Sequence, residues 1–321
     1  MIGGTGPVAE HAAPRRIRIA VIGAGGVGGY FAAALARAGS DVRLLARGEH
    51  LAAIRQRGGV LVQEPDGASD VAPVIAVDHI DDLQGCAVAL LTVKSYSLPE
   101  LAPLLRTLGR DGTTIVPLLN GVDILDRLVA MGVPAAAVLP GLTYISAART
   151  APGVVRRASS FRRIVVGEPS GAPSDRATAL VTALGSAGIE AEISPHIALD
   201  LWRKLAFLAP MAAVCGLARR ELGAVLAAPF GREVLERAVR EVAAVSRAVG
   251  VALDEADVQR TLARLVELPP GTKPSLLLDL ERHAATELDA LSGTLARLGR
   301  LHGVETPVHD TVVAALSAAG A

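Results

Sequence analysis

A glycine-rich turn near the N-terminus constrains the fold of this chain more than any other feature of its sequence. Residues 17–22 read IRIAVI, which predicts a buried strand, and GAGGVGGYFAAALARAG then predicts a turn opening into a helix that ends at Gly39. The turn contains G-x-G-x-x-G, in which the glycines permit the tight turn, close approach of a pyrophosphate and close helix–strand packing. The pattern also occurs in ordinary tight turns. Its position after an apolar strand favours a dinucleotide site formed by Gly23, Ala24, Gly25, Gly26, Val27 and Gly28.

Predicted strands and helices alternate along the first part of the chain. Strands are expected at residues 41–46, 87–93 and 113–119, with helical patterns between them, and VLVQE and VAPVIAV predict a hairpin or meander. Short β-type runs follow at 138–168, and EAEIS at 190–194 is expected to be the last strand. The alternation predicts a Rossmann-type, doubly wound parallel sheet covered on both faces by helices.

Beyond Ser194, apolar residues at helical spacing dominate. Their spacing predicts a long helix with one apolar face, formed by Phe230, Val234, Ala238, Val242, Val245 and Val249. Further helices are expected at Asp254–Leu268, at about Ser275–His302 and after Pro307. The fold class is therefore α/β, with an all-helical C-terminal domain. The predicted divisions are a disordered tail at 1–16, a dinucleotide-binding domain at 17–193 and a helical substrate or dimerisation domain at 194–321.

Composition excludes several kinds of partner. Lys plus Arg and Asp plus Glu both total 32 and aromatic residues make up 2%, so neither nucleic acid nor an anionic membrane surface is an expected partner. The N-terminus lacks the apolar run of a signal peptide, which predicts a cytoplasmic protein without a membrane segment. Cys86 and Cys215 lie in apolar surroundings that favour buried free thiols, and no clustering of metal ligands is seen.

The end of the second predicted strand indicates which dinucleotide would bind. An acid there would accept hydrogen bonds from the adenosine ribose, whereas this chain reads LLARGEHL and has Arg47 in that region. A guanidinium can bind a 2′-phosphate bidentately, so the sequence favours NADP over NAD. The alternative for Arg47 is a solvated loop arginine. Glu49 is better explained as an acid in the first turn of the next helix.

Lysine is rare in this chain, which makes each lysine informative. Only Lys94, Lys204 and Lys273 occur, and the other 29 basic residues are arginine. Lys94 and Asn120 each follow a predicted strand at the edge where ligands bind in open parallel sheets, although either could be an ordinary helix cap or turn residue. Lys204 lies in a strongly apolar helix. It either snorkels along its neighbours or is a buried general acid whose pKa is lowered by burial.

Several segments together resemble the ketopantoate reductase (2-dehydropantoate 2-reductase) family. They are GAGGVGG at the turn, LLARGEHL, VKSYS, LLNGV, LWRKL and PSLLLDLERHAATELDALSG, and the resemblance runs from about Ile17 to the C-terminus. It implies NADPH-dependent reduction of the 2-oxo group of ketopantoate to pantoate, a step toward pantothenate and coenzyme A. The implied partner is thus a small 2-oxo acid.

The resemblance also implies roles for individual residues. Lys204 would protonate the carbonyl oxygen, Lys94 and Asn120 would lie along the nicotinamide end of NADP, and Asn120 would also face the substrate. Ser275 would bind substrate, unless it is only a helix N-cap after Pro274. Glu287 would bind at the junction of cofactor and substrate, or be a helix acid beside phase-matched leucines. Ala147 would approach the cofactor through its backbone.

One departure from the family pattern concerns the substrate. Family members typically carry asparagines four and eight residues after the catalytic lysine, where this chain has Leu208 and Ala212, and Pro210 between them is expected to disturb the helix. Each lost partner for a substrate hydroxyl would cost roughly 1–3 kcal/mol. The enzyme therefore either reduces a less polar 2-oxo acid or carbonyl compound, or reduces ketopantoate with contacts from elsewhere.

Two other classes of function stay open at this level. The chain could be a sensor or scaffold that binds NADPH without turnover, although such a protein needs neither Lys204 nor Glu287. It could also be another two-domain dehydrogenase, acting on a 3-hydroxy acid or a polyol phosphate. The apolar C-terminal helices could support a homodimer, and Lys273 has no assigned role.

Overall fold

The computed structural model describes residues 17–320, and the predicted disordered tail at 1–16 lies outside the described residues. Its centre is a five-stranded, all-parallel sheet in the order β5-β2-β1-β6-β7. This confirms the predicted doubly wound sheet. The strands of this sheet are β1 (Arg18–Ile22), β2 (Asp41–Leu45), β5 (Ile75–Val77), β6 (Val88–Leu91) and β7 (Thr114–Pro117).

Burial of this sheet on both faces explains its sequence. Strands β1, β6 and β7 are apolar and almost wholly buried, as expected when helices cover both sides of a parallel sheet. The side chains on one face belong to a core shared with α1, and those on the other face pack with α3. The helices of this half are α1 (Gly26–Arg37), α2 (Gly48–Arg57), α3 (Leu98–Arg110), α4 (Ile124–Ala130) and α5 (Asp175–Ser186).

Two smaller sheets complete the N-terminal half. One has the order β4-β3-β10-β9 and the other the order β12-β11-β8. The predicted hairpin holds only in part, because β3 pairs antiparallel with β4 whereas β5 pairs in parallel with β2. These strands are β3 (Val60–Gln63), β4 (Ser69–Ala72), β8 (Gly141–Tyr144), β9 (Ala147–Ala151), β10 (Val154–Arg157), β11 (Arg163–Val166) and β12 (Glu190–Ile193).

The rest of the described chain is helical. Its longest helix, α6, contributes more residues than any other element to a second apolar core, and α8 packs along it. The helices are α6 (Ile197–Ala218), α7 (Leu222–Ala227), α8 (Gly231–Ala248), α9 (Glu255–Val266), α10 (Ser275–Glu281), α11 (Thr294–His302) and α12 (Pro307–Ala318). A π-helical segment, Asp289–Gly293, leads directly into α11 and is called the π-turn below.

Two expectations for the helical half are wrong. The helix expected at Ser275–His302 is broken into α10, an irregular stretch, the π-turn and α11. Phe230 precedes α8 instead of lying on its buried face, and is exposed. Pro210 lies inside α6, which continues past it to Ala218. The helix tolerates this proline because packing of its apolar face contributes more stability than the one backbone hydrogen bond that proline removes.

Helix α6 is also long and apolar enough to cross a membrane. However, 67% of its apolar window is buried inside the protein, as in a core helix of a soluble protein. Cys86 and Cys215 are buried free thiols, as expected. Within residues 17–320 no group of three or more His, Cys, Asp or Glu side chains is arranged to hold a metal ion.

Candidate active site

The glycine turn connects β1 to α1 with very little room for side chains. Gly23 has φ +117°, a conformation that other residues rarely adopt. A Cβ on Gly28 would lie 2.0 Å from the Gly23 carbonyl oxygen, and a Cβ on Gly26 would lie 2.3 Å from that of Ala147. Glycine is thus required at these positions by contact with neighbouring backbone. Ala147 lies against the turn through its backbone carbonyl.

Gly25 differs from the other glycines of the turn, because its open side faces no protein atom. A Cβ built on Gly25 meets nothing within 4 Å. Gly25 is also the N-cap of α1, where neither a side-chain cap nor an acid in the first turn is present. The first N–H groups of α1 therefore remain available to an anion, and the helix dipole favours negative charge there. These features fit the pyrophosphate of a dinucleotide.

Arg47 occupies the N-cap position of α2, two residues beyond the end of β2. Its side chain is 72% exposed, and its guanidinium is 3.9 Å from the Glu100 carboxylate, a weak surface contact. Glu49 lies in the first turn of α2, as expected. The arginine is therefore available to a ligand at the carboxyl edge of the sheet.

Glu287 is the centre of a polar cluster that joins the two halves of the molecule. Its buried carboxylate accepts hydrogen bonds from Lys94 Nζ at 3.1 Å, the Ser95 backbone N–H at 3.3 Å and Asn120 Nδ2 at 3.4 Å. All three donors come from loops after β6 and β7, whereas Glu287 precedes the π-turn. The structure thus brings together the predicted site residues Lys94, Asn120 and Glu287, which are separated by up to 193 positions in the sequence.

Asp279 is a member of this cluster that the sequence did not reveal. Its carboxylate lies 3.2 Å from Lys94 Nζ. Burial lowers the pKa of Lys94, but the nearby carboxylates of Glu287 and Asp279 outweigh that effect, and the pKa is raised overall. Lys94 is therefore a fixed positive charge. The single available signal was an acid on the apolar helix segment PSLLLDLE, and such acids are usually solvated.

Lys204 has the opposite electrostatic character. It lies in the middle of α6, 9% exposed, and no described side chain forms a hydrogen bond or ion pair with its Nζ. Burial lowers the pKa of Lys204 to about 8, and the negative charge of Glu287 limits that drop. The side chain is thus buried instead of snorkelling. An ammonium with this pKa can give up a proton near neutral pH.

Three further positions from the sequence analysis are Leu208, Ala212 and Ser275. Leu208 and Ala212 are on the same face of α6 as Lys204 and pack against the apolar core of the helical half. Ser275 is exposed in the first turn of α10, and the N-cap position belongs to Pro274. Ser275 precedes Asp279 by four residues, so both are on one face of α10. The structure does not bring Ser275 into a hydrogen bond with the cluster.

Two cavities of the described chain include neither Lys204 nor Glu287 in their lining. One of about 150 Å³ runs between the end of β7 and the first turns of α6, and Gly121 and Trp202 line it. The other, of about 510 Å³, is in the helical half and is lined almost wholly by apolar residues around Phe230. The polar cluster, and not either cavity, is therefore the candidate active site.

Comparison with known families matches both halves of the chain. The model described as "Ketopantoate reductase PanE/ApbA" matches residues 19–171, and "Ketopantoate reductase PanE/ApbA C terminal" matches residues 196–320. Together the two models span most of the described chain, and they cover both the glycine turn and the segment that carries Lys204 and Glu287.

Individual relatives are similar over nearly their whole length. An uncharacterized oxidoreductase, YkpB of Bacillus subtilis, is 31% identical, over 94% of this chain and 98% of the relative. A 2-dehydropantoate 2-reductase of Halobacterium salinarum is 33% identical, over 92% of this chain and 96% of the relative. The crystal structure of a PanE/ApbA family ketopantoate reductase from Ralstonia eutropha superposes with a TM-score of 0.85 at 27% identity, covering 94% of this chain and 97% of that one.

Proposed function

Because the chain belongs to the ketopantoate reductase family, whose members are oxidoreductases acting on a CH–OH group, we propose that it reduces 2-dehydropantoate to pantoate with NADPH. Family membership supports a nicotinamide cofactor in general terms. The observation that carries the proposal is the buried Lys204 beside Glu287, since this carboxylate also binds Lys94 and Asn120 from the cofactor edge of the sheet.

Lys204 is the general acid in this proposal. A nicotinamide dinucleotide held at the glycine turn of Gly23 to Gly28 would supply hydride to the carbonyl carbon, and negative charge would then develop on the carbonyl oxygen. The Lys204 ammonium donates its proton to that oxygen, and the pKa of about 8 makes this transfer favourable near neutral pH. Glu287 keeps enough negative charge nearby for the buried ammonium to remain protonated.

Lys94 and Asn120 orient the reactants rather than transfer protons. Lys94 is held between Glu287 and Asp279 with a raised pKa, so it presents a permanent positive charge at the sheet edge. Asn120 donates one amide hydrogen to Glu287 and has its oxygen free to accept from a bound ligand. We assign the carboxylate of a 2-oxo acid to this positive edge, and Ser275 to the substrate's polar groups.

NADPH is proposed over NADH because of Arg47. The exposed guanidinium follows β2, where a dinucleotide of this fold places its adenosine ribose, and no acid precedes it in that strand end. The test is the ratio of kcat/KM for NADPH and NADH in the native enzyme and in Arg47→Ala. A native ratio at or below one would overturn the NADP assignment, and the variant should lose most of the preference.

A second candidate substrate is a less polar 2-oxo acid. Leu208 and Ala212 present apolar surface one and two turns after Lys204, where a hydroxylated substrate would need polar partners. A panel of 2-oxo acids assayed by NADPH oxidation separates the candidates. Preference for ketopantoate supports the first, preference for an apolar 2-oxo acid the second, and binding of NADPH without oxidation by any of them would indicate a sensor.

The predicted cytoplasmic location and homodimer remain predictions of the sequence. We place the dimer contact in the helical half, where Leu217 and Phe230 expose apolar side chains beside the cavity of about 510 Å³. Light scattering of the purified protein measures the oligomeric state directly.

A further inference from the structure

The π-turn begins two residues after Glu287 and gives the chain a geometry that an ordinary helix start would not have. The Gly293 N–H donates to the Leu288 carbonyl at 3.0 Å, five residues back instead of four. The Glu287 carbonyl accepts a hydrogen bond from the Leu291 N–H at 3.2 Å, which ties the Glu287 backbone to the π-turn. Such turns are rare, and they occur often at functional sites.

The extra residue in the π-turn changes the direction of the side chains that precede it in the sequence. One additional residue rotates the preceding side chains by about 100° relative to α11. Leu291 and Leu295 remain packed in the helical core, while Glu287 is directed to Lys94 and Asn120 of the N-terminal half. In an uninterrupted helix Glu287 would lie on the same face as Leu291 and Leu295, which pack in the helical core.

On the side of the helical half, the π-turn is fixed by a buried hydrogen bond between Ser292 Oγ and His309 Nδ1 at 3.0 Å. The other ring nitrogen of His309 is 3.2 Å from the Ala238 carbonyl, which can only accept, so Nδ1 accepts from the Ser292 hydroxyl. Burial lowers the pKa of His309 to about 4, which keeps the ring neutral at working pH. Glu241 binds the His309 backbone N–H at 3.1 Å and holds the start of α12 in place.

On the side of the N-terminal half, the π-turn is fixed through Thr294. Its hydroxyl donates to the Asp289 carbonyl at 3.1 Å and is 3.4 Å from the Asp123 carboxylate. Arg297 pairs with the same Asp123 carboxylate, and lies 3.2 Å from the Asp289 carboxylate. Asp123 is buried three residues after Asn120, so this network connects the loop of Asn120 to the turn that carries Glu287.

We propose that the π-turn is the element that positions the Glu287 carboxylate, and that Ser292 and Thr294 are the positioning residues that maintain it from its two sides. The inference rests on the proposed function only in that Glu287 serves the same active site. Neither residue touches the cluster, and each acts through the direction that it gives to Glu287.

The rarity of lysine provides a direct test. The protein labelled at lysine Cε and Nζ has only the signals of Lys94, Lys204 and Lys273, and Lys204→Arg and Lys273→Arg assign them. The negative charge of Glu287 opposes the lowering of the Lys204 pKa by burial. Removing that charge in Glu287→Gln should therefore lower the pKa of Lys204 below about 8. We expect Ser292→Ala and Thr294→Val to lower it in the same direction. Ser292→Thr and Thr294→Ser, which keep the hydroxyl, should restore it.

Ser246→Ala is the matched control. Ser246 is a fully buried serine of the same half whose hydroxyl donates to the Val251 carbonyl at 2.6 Å, away from the π-turn. It should lower stability like Ser292→Ala and leave the pKa of Lys204 unchanged. Native pKa values for Lys204 in both Ser292→Ala and Thr294→Val, with a shift in Glu287→Gln, would overturn the positioning role. No shift in Glu287→Gln would overturn it too, because Glu287 would then not act on Lys204.

Steady-state kinetics adds a readout that depends on the reaction. Displacement of a positioned group by about 1 Å can cost on the order of a hundredfold in rate, so kcat should fall more than KM changes in Ser292→Ala and Thr294→Val. The titration requires no substrate. A protein that fails to reduce ketopantoate but shows the lysine shifts would therefore contradict the proposed function and still support the π-turn proposal.

Discussion

The glycine turn and the surroundings of Lys204 are built by opposite means. At the turn, backbone atoms leave no room for a Cβ on Gly26 or Gly28, and no charged side chain caps the helix. At Lys204, burial and the carboxylate of Glu287 determine the pKa of the side-chain ammonium. The first region should therefore be sensitive to an added methyl group at Gly26 or Gly28. The second should be sensitive to a change of charge at Lys204 or Glu287.

The largest expected effect in this comparison is that of Lys204→Met. Loss of the proposed general acid should lower kcat by roughly 10²–10⁴-fold while the dissociation constant for NADPH stays near the native value. Turnover by stopped assay and cofactor affinity by fluorescence titration check the two parts separately. Native turnover in the variant would remove Lys204 from the mechanism.

Lys204→Met should make the fold more stable although it lowers kcat. In the folded state the pKa of Lys204 is lowered to about 8, so below that pH the buried charge destabilises the fold by about 3 kcal/mol. Methionine removes this cost, and the free energy of unfolding at pH 7 should rise. Lys273→Met, which removes an exposed lysine paired with Glu281, is the control and should change neither turnover nor cofactor affinity.

The next effect concerns the glycine turn. Gly28→Ala places a methyl group 2.0 Å from the Gly23 carbonyl oxygen and should lower the free energy of unfolding by about 1–3 kcal/mol, with loss of NADPH binding. The methyl group of Gly25→Ala would contact no protein atom, so this variant should keep the native free energy of unfolding and bind NADPH more weakly. Denaturant unfolding without cofactor, followed by NADPH titration, distinguishes the variants. Equal destabilisation by both would contradict a special role for Gly25.

How far the sequence predicts each region follows from the same difference. The turn is local, because Gly23 to Gly28 and the strand before them specify the geometry, and the doubly wound sheet follows from alternation of strands and helices. Lys94 and Asn120 could be placed at one sheet edge for the same reason. Lys204 could be singled out because a lysine in an apolar helix is unusual.

The parts that could not be predicted depend on contacts between distant segments. The leucines at 288, 291, 295 and 298 keep helical spacing, so the sequence gives no sign that the helix breaks before them or begins with a π-turn. Asp279 contacts Lys94, 185 residues away, and His309 contacts Ser292 and Ala238, 17 and 71 residues away. Their roles follow from packing between α10, α12 and their neighbours, which periodicity does not encode.

A smaller effect is expected from restoring polar groups beside Lys204. Leu208→Asn and Ala212→Asn would offer hydrogen bonds to a hydroxylated substrate, worth about 1 kcal/mol each when well placed. If the apolar face selects the substrate, each variant should raise kcat/KM for ketopantoate several-fold relative to an apolar 2-oxo acid. Leu208→Met, which keeps the face apolar, is the control. An unchanged ratio in both asparagine variants would show that substrate contacts come from elsewhere.

The pH dependence of the native enzyme tests the electrostatic side of the comparison without any substitution. Lys204 must be protonated to donate, so kcat should be level below its pKa, fall to about half at a pH near 8, and then fall about tenfold per further pH unit. Lys94 has a raised pKa and should add no second limb in this range. NADPH affinity should stay flat across the same limb, because the glycine turn contains no group that titrates there. A basic limb in cofactor affinity instead of kcat would mean that the titrating group belongs to the cofactor edge, and that the two regions are not electrostatically distinct.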